Sequence, residues 1–351
     1  DEVKQLGEAF YALSPSGQKL AVKGIHELMN WRREDGTLYA PVPAGNWDKE
    51  LPLQMLASIG WYGFYTQYYY SADSSFVPVI YDRMRRYLHE VWQVDKSGLV
   101  IERQGAWSWG DWGEHVDMGV LTNCWYYLAL KAERAFALQL GKDKDADEIS
   151  QMMRSIERCF DTKFWTGSAY RSPGYKGETD DRSQAMAVVS GLASKDKYPA
   201  LTKVLKKEYH ASPYMEKYVL EALFQMGEPT FALERMKQRY TRMLDYAEYT
   251  TLFEGWGIGA EGFGGGTINH AWSGGPLTLL SQKVCGIEPT SPGFRTFKIA
   301  PQLGYGTIQV SIKKKGKRMK FDLQIPEGTS AELIKPNGTR KHLGPGHHQV
   351  D

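Results

Sequence analysis

The sequence predicts a mainly α fold, a closed ring of helical hairpins followed by a small all-β domain. Three observations predict it. Apolar residues recur at helical spacing from the start of the chain to about residue 285. The connections between these segments are alternately short and long. From about Gly286 the period of the apolar pattern changes to two.

The elements follow in order. Asp1 reads as the N-cap of a helix over 3–14, with Val3, Leu6, Phe10 and Leu13 on one stripe. Ser-Pro-Ser-Gly then turns into a helix over 16–32. A long loop at 34–51, rich in Gly and Pro, carries Tyr39 and Trp47. The helix over 52–71 is apolar on most faces, which implies deep burial. A short turn with Asp73 as N-cap opens a helix over 74–94, and a second long loop spans 95–118. Helices over 119–141 and 145–161 share the turn Gly-Lys-Asp-Lys. The loop 161–181 precedes helices at 182–193 and 198–208, and 209–213 leads to helices at 214–225 and 228–240. The loop 241–271 and a helix over 271–285 close the series.

Antiparallel helices joined in this way gather the short turns at one end and the long loops at the other. The loops 34–51, 95–118, 161–181, 209–213 and 241–271, with Asp1, are therefore expected on one face. Eleven helices are one short of a ring of six hairpins, which fits a chain whose first helix lies before Asp1. The expected division is 1–288 for the ring and 289–351 for the β domain. In the latter, 296–299, 308–312, 319–323 and 331–334 alternate in period two, and Pro-Asn-Gly at 336–338 signals a hairpin. The basic run 313–320 has no interleaved aromatic residue and reads as an exposed hairpin.

Composition narrows the function. In 351 residues, 43 Lys and Arg balance 41 Asp and Glu, for a net charge of +2, which argues for neither nucleic acid nor an anionic membrane. No apolar run is long enough to span a bilayer. Cys124, Cys159 and Cys285 are odd in number and far apart, so buried thiols are expected rather than disulfides or a metal site. The histidines show no metal-ligand spacing, and neither metal nor cofactor is expected. An aromatic content of 13% favours carbohydrate or apolar ligands.

The densest chemistry is Trp-Ser-Trp-Gly-Asp-Trp-Gly-Glu-His-Val-Asp at 107–117, a loop by its two glycines. Tryptophan is costly to leave wet and carboxylates are costly to bury unpaired. A sugar site satisfies both, with indole faces on the apolar side of a pyranose and carboxylates accepting from its hydroxyls. The alternative is a loop whose tryptophans cap the core and whose acids face water. Glu254, flanked by Phe253 and Trp256, has the apolar setting of a general base or acid, or else a carboxylate bonded to nearby backbone N–H groups. His270 follows the glycine run 262–266, which lacks any phosphate-loop pattern, and helix parity puts it beside Glu254.

Trp-Gly-Asp-Trp-Gly at 109–113, Thr-Thr-Leu-Phe-Glu-Gly-Trp at 250–256, Asn-His at 269–270 and Pro-Gly-Phe-Arg-Thr-Phe-Lys-Ile-Ala-Pro-Gln at 292–302 resemble bacterial α-L-rhamnosidases of glycoside hydrolase family 78. The resemblance implies an (α/α)6 toroid with a C-terminal β-sandwich. It implies inverting hydrolysis of terminal α-L-rhamnose from a glycan or glycoside, and a periplasmic or secreted location. By resemblance Glu254 is the general base, Asp111 and Trp112 hold the sugar, and His270 is another sugar contact. Trp61, Glu114, Asp117 and Trp256 join the substrate-binding set from loop position and chemistry, as does Asp1, which looks like the aspartate of a Trp-Gly-Asp. The family's acid, a Glu in Asp-x-x-x-Arg-Glu, is absent from the sequence, so the expected proton donor lies before residue 1. Another six-hairpin glycosidase of different sugar specificity, or a non-catalytic sugar-binding relative, are the alternatives.

Overall fold

The computed structural model describes residues 15–31, 33–39, 50–103, 105, 107–246, 248–258, 266–300, 302–303, 306–316, 318–335 and 337–351. Asp1, the expected helix 3–14 and Trp47 lie outside the described residues.

The helices fall into two kinds that alternate along the chain. Pro52–Ile59, Met118–Gln139, Asp181–Ser190 and Pro213–Gln225 are buried along most of their length. Val77–Arg86, Asp143–Phe164, Tyr198–Lys207 and Pro229–Leu244 bury one stripe and turn Lys, Arg, Asp and Glu to water. The first kind packs as an inner layer around Met118–Gln139, which touches Pro52–Ile59 and Asp181–Ser190. The second kind packs outside it, as Asp143–Phe164 does against Met118–Gln139. These are the two layers of an (α/α)6 toroid.

The expected helix over 52–71 is interrupted. A π-helical turn, Trp61–Tyr65, separates Pro52–Ile59 from Thr66–Ser71. Gly60 and Gly63 explain the break: a Cβ on Gly60 would lie 2.7 Å from the Leu56 carbonyl and 3.2 Å from Ala129 Cα, and one on Gly63 would lie 1.8 Å from the Ser58 carbonyl. Only glycine lets the chain pass this close to the Met118–Gln139 helix.

The long connections are tied to one another. The Trp107 N–H donates to the Glu50 carbonyl at 3.2 Å, and Arg103 pairs with the Glu50 carboxylate. Asp117 accepts from the Ser172 N–H at 2.7 Å, and Asp111 from the Ser212 N–H at 2.9 Å. The Trp256 indole donates to the Ala211 carbonyl at 2.8 Å. Each of these loops leads into the N-terminus of an inner helix, as helix parity requires. That end carries the free N–H groups and the positive end of the helix dipole, which suits carboxylates. Asp117 and Asp180 are N-caps there, and Ser212 caps Pro213–Gln225.

Five of the C-terminal strands form an antiparallel sheet, in the order Ile287–Pro289, Thr296–Ile299, Gln309–Lys315, Arg318–Ile325 and Gly346–Val350, and two further pairs, Gln302–Leu303 with Gly306–Thr307 and Ala331–Ile334 with Arg340–Leu343, make two-stranded sheets. Its core is Val310, Ile312, Phe321, Leu323, Ile325, Leu343 and Val350. The basic run is the hairpin in which Lys313 faces Lys320. The sheet domain meets the short-turn side of the ring through Tyr69, whose hydroxyl donates to the Pro289 carbonyl at 3.5 Å, and Tyr70 against Phe294. The cysteines are free, but only Cys124 is buried; Cys159 is half-buried, and Cys285, at the junction of the two domains, is exposed.

Candidate active site

Two of the long loops meet at Glu254. The Trp112 indole N–H donates to Glu254 Oε1 at 2.9 Å, joining the 107–117 loop to the 250–256 segment across 142 residues of sequence. The Thr267 N–H donates to Oε2 at 3.3 Å, and the Glu254 N–H returns to the Thr267 carbonyl at 2.9 Å. The Trp272 indole donates to the Glu254 carbonyl at 2.9 Å. His270 stacks on Trp272 with ring centroids 4.2 Å apart, and its N–H donates to the Leu252 carbonyl at 2.9 Å. Glu254 is only half-buried, and one of its oxygens does meet a backbone N–H.

The three tryptophans of the 107–117 loop divide the tasks that sequence reasoning set as alternatives. Trp109 is buried and stacks on Trp272 at 5.8 Å, capping the core. Trp107 and Trp112 stay half-exposed, 5.7 Å apart, with Trp112 edge-on to Trp109 at 5.4 Å. Beside them is a cavity of about 310 Å³ lined by Trp112, Gly113, Glu114, Ser212, Gly255 and Trp256 among others. That is the size of a small-molecule site. Glu254 is not in this lining; it borders it through Trp112 and Gly255. Trp256 is held by its bond to Ala211 and by Arg239, whose guanidinium lies 4.1 Å from the ring centroid.

Asp111 faces inward. Its carboxylate accepts from the Ser212 hydroxyl at 2.5 Å, the Ser212 N–H at 2.9 Å and Arg182 Nη1 at 3.2 Å. Burial pushes its pKa up to about 6, against the pull of Arg182 and the Ser212 donors. Asp117 is also buried. It caps the Met118–Gln139 helix, accepts from the Ser172 N–H and hydroxyl, and its own N–H donates to Asp180 Oδ2 at 3.0 Å. Glu114 is the opposite case, with its side chain 75% exposed on the rim. Trp61 is not brought to this hollow. It lines a second cavity with Tyr65, Lys217 and Glu221, stacked on Tyr65 at 4.0 Å. Nine residues into a helix that begins at Pro52, it is about 14 Å from the loop end.

Sequence reasoning missed Arg182, which assembles this rim. Fully buried, it donates to Asp180 at 2.6 Å, to Asp111 at 3.2 Å, and to the carbonyls of Trp112 at 3.3 Å and Glu114 at 2.6 Å. Gly113 between those carbonyls has φ +106°, a conformation that favours glycine. The Asp-Asp-Arg run at 180–182 was the available signal, but nothing local says which way its guanidinium points.

Residues 10–284 match the bacterial alpha-L-rhamnosidase 6 hairpin glycosidase domain, and residues 286–349 match the bacterial alpha-L-rhamnosidase C-terminal domain. The chain belongs to the bacterial α-L-rhamnosidase family. No curated protein is matched by the sequence. Among solved structures, an α-L-rhamnosidase from Dictyoglumus thermophilum is similar at a TM-score of 0.70 and 17% identity, covering 98% of this chain and 45% of that one. One from Aspergillus terreus is similar at 0.68 and 14%, covering 99% and 45%. One from Streptomyces avermitilis, complexed with L-rhamnose, is similar at 0.65 and 16%, covering 99% and 38%. The chain thus spans less than half the length of these rhamnosidases. No helix among the described residues is long and apolar enough to cross a membrane.

Proposed function

We propose that this chain carries the catalytic ring and C-terminal sandwich of an α-L-rhamnosidase that removes terminal α-L-rhamnose from a glycan or glycoside with inversion. The observation that carries the reading is the 2.9 Å hydrogen bond from Trp112 to Glu254, which joins two family motifs at an aromatic hollow. Two similar solved structures, from Streptomyces avermitilis and Klebsiella oxytoca, hold rhamnose.

Glu254 is the general base. Its two oxygens each accept one N–H, from Trp112 and Thr267, and each keeps a further lone pair for water. The carboxylate takes a proton from that water as its oxygen bonds to the anomeric carbon, and the glycosidic bond breaks on the opposite face with its electron pair leaving on the aglycone oxygen, as an aryloxide in an activated substrate. Trp112 and Trp256 cover the apolar side of the sugar, with His270 at its edge and Glu114 reaching from the rim. Asp111 and Asp117 act as positioning residues, through Ser212 and Ser172. Trp61 has no part in this account.

A panel of activated aryl glycosides tests the reading, because such leaving groups depart without a proton donor. The α-L-rhamnoside is expected to be the preferred substrate, with the β anomer of rhamnose appearing first by proton NMR. Preference for another sugar, or the α anomer first, would overturn it.

A further inference from the structure

His115, Glu178 and His210 come from three different rim loops, yet one ligand atom of each lies within 4.8 Å of the others. His210 Nε2 is 3.4 Å from a Glu178 carboxylate oxygen, near the roughly 3.3 Å edge of a tetrahedron of N and O ligands around zinc. That nitrogen is buried and makes no hydrogen bond among the described residues. The two imidazoles meet edge to face, with centroids 4.9 Å apart and planes inclined by 65°. His115 is held at φ +58°, a left-handed conformation uncommon outside glycine. The Glu178 N–H donates to its Nδ1 at 3.1 Å, so the lone pair of this nitrogen is taken by that amide and is open to a metal only when the amide gives way. Its Nε2 points to Glu114, 3.8 Å away.

From this juxtaposition we propose that His115, Glu178 and His210 form a binding site for a divalent transition metal of the zinc class. His115 binds through Nδ1, with the metal replacing the Glu178 amide as its partner. His210 binds through Nε2 and Glu178 through one oxygen. Glu208, also 3.4 Å from His210 Nε2, stands ready beside it. Two imidazoles select against calcium and magnesium, which take oxygen ligands. The metal clasps the 113–115, 175–178 and 208–212 segments together, on the wall of the cavity that His115 and His210 line with Trp112 and Trp256. Spacing in the sequence hides the site because each ligand comes from a different loop.

Equilibrium dialysis of the full, tag-free, chelator-stripped chain against Zn²⁺ tests the proposal, with Co²⁺ absorption reporting geometry. About one Zn²⁺ per chain is expected, with calcium at least about a hundredfold weaker and a tetrahedral Co²⁺ spectrum. E178Q and H210A should each weaken binding about tenfold or more. The Glu178 side chain is 64% exposed, so E178Q reports binding without disturbing the fold. No stoichiometric Zn²⁺ binding, or binding that E178Q and H210A leave unchanged, would overturn the proposal.

Discussion

The indole N–H of Trp112 fixes which way the Glu254 carboxylate faces. A hydrogen bond to a charged group is worth roughly 1.5–3 kcal/mol. W112F keeps the aromatic wall and removes the donor, so kcat should fall about tenfold to a hundredfold with a smaller change in KM. Steady-state kinetics on an activated α-L-rhamnoside checks this. Asp111 offers a test by pH. Its folded pKa, about 6, is above its ordinary 3.8. Between those values the folded protein keeps a proton that the unfolded chain has lost. Its share of stability is therefore fully present below about pH 4 and declines as pH rises through about 6. In D111N this slope is absent. The stability of the parent relative to D111N, from denaturant titrations at pH 4 and pH 7, should drop by on the order of 3 kcal/mol over that range.

At the scale of elements, the rim is an assembly of inner-helix N-termini, and acids collect there because free N–H groups and one guanidinium receive them. D117A removes the cap of the Met118–Gln139 helix and its hold on Ser172. A loss of about 1–2 kcal/mol is expected, read as a lower melting temperature. R182A leaves Asp111 and Asp180 buried without their cation and frees the Trp112 and Glu114 carbonyls. Denaturant unfolding should show a loss of about 3–5 kcal/mol. The sequence made these elements legible to different degrees. Helix positions and the alternation of turns follow from local periodicity, and among the described residues the structure repeats them within a few residues, except that the expected helix 271–285 divides into a 3-10 turn, a short α-helix and a π-helical turn. The π-helical turn at Trp61–Tyr65 does not, because apolar periodicity carries no sign of how closely Gly60 and Gly63 pass the Leu56 and Ser58 carbonyls and, for Gly60, Ala129 of another helix.

Across the whole molecule, the ring converts sequence distance into proximity. The meeting of Glu254, Trp112 and His270 was legible because each sits in a short motif with its own chemistry, and parity placed their loops on one face. The inward turn of Asp111, the clamp of Arg182 and the meeting of His115 with His210 were not, since each depends on loops packing from different hairpins. The aromatic and acidic load of 107–117 pointed to the place of the rim cavity, which the proposed function fills with a sugar, without telling which acids face it. In the structure, the acids with the most partners hold the rim together, and those with fewest, Glu254 and Glu114, look outward. The central claim is that this convergence makes Glu254 the base of a rhamnosidase. It is tested most directly by the initial rate of rhamnose release from an activated aryl α-L-rhamnoside by the parent and by E254Q side by side. The account predicts a fall of about a hundred- to ten-thousandfold in E254Q; equal rates in the two proteins would contradict it.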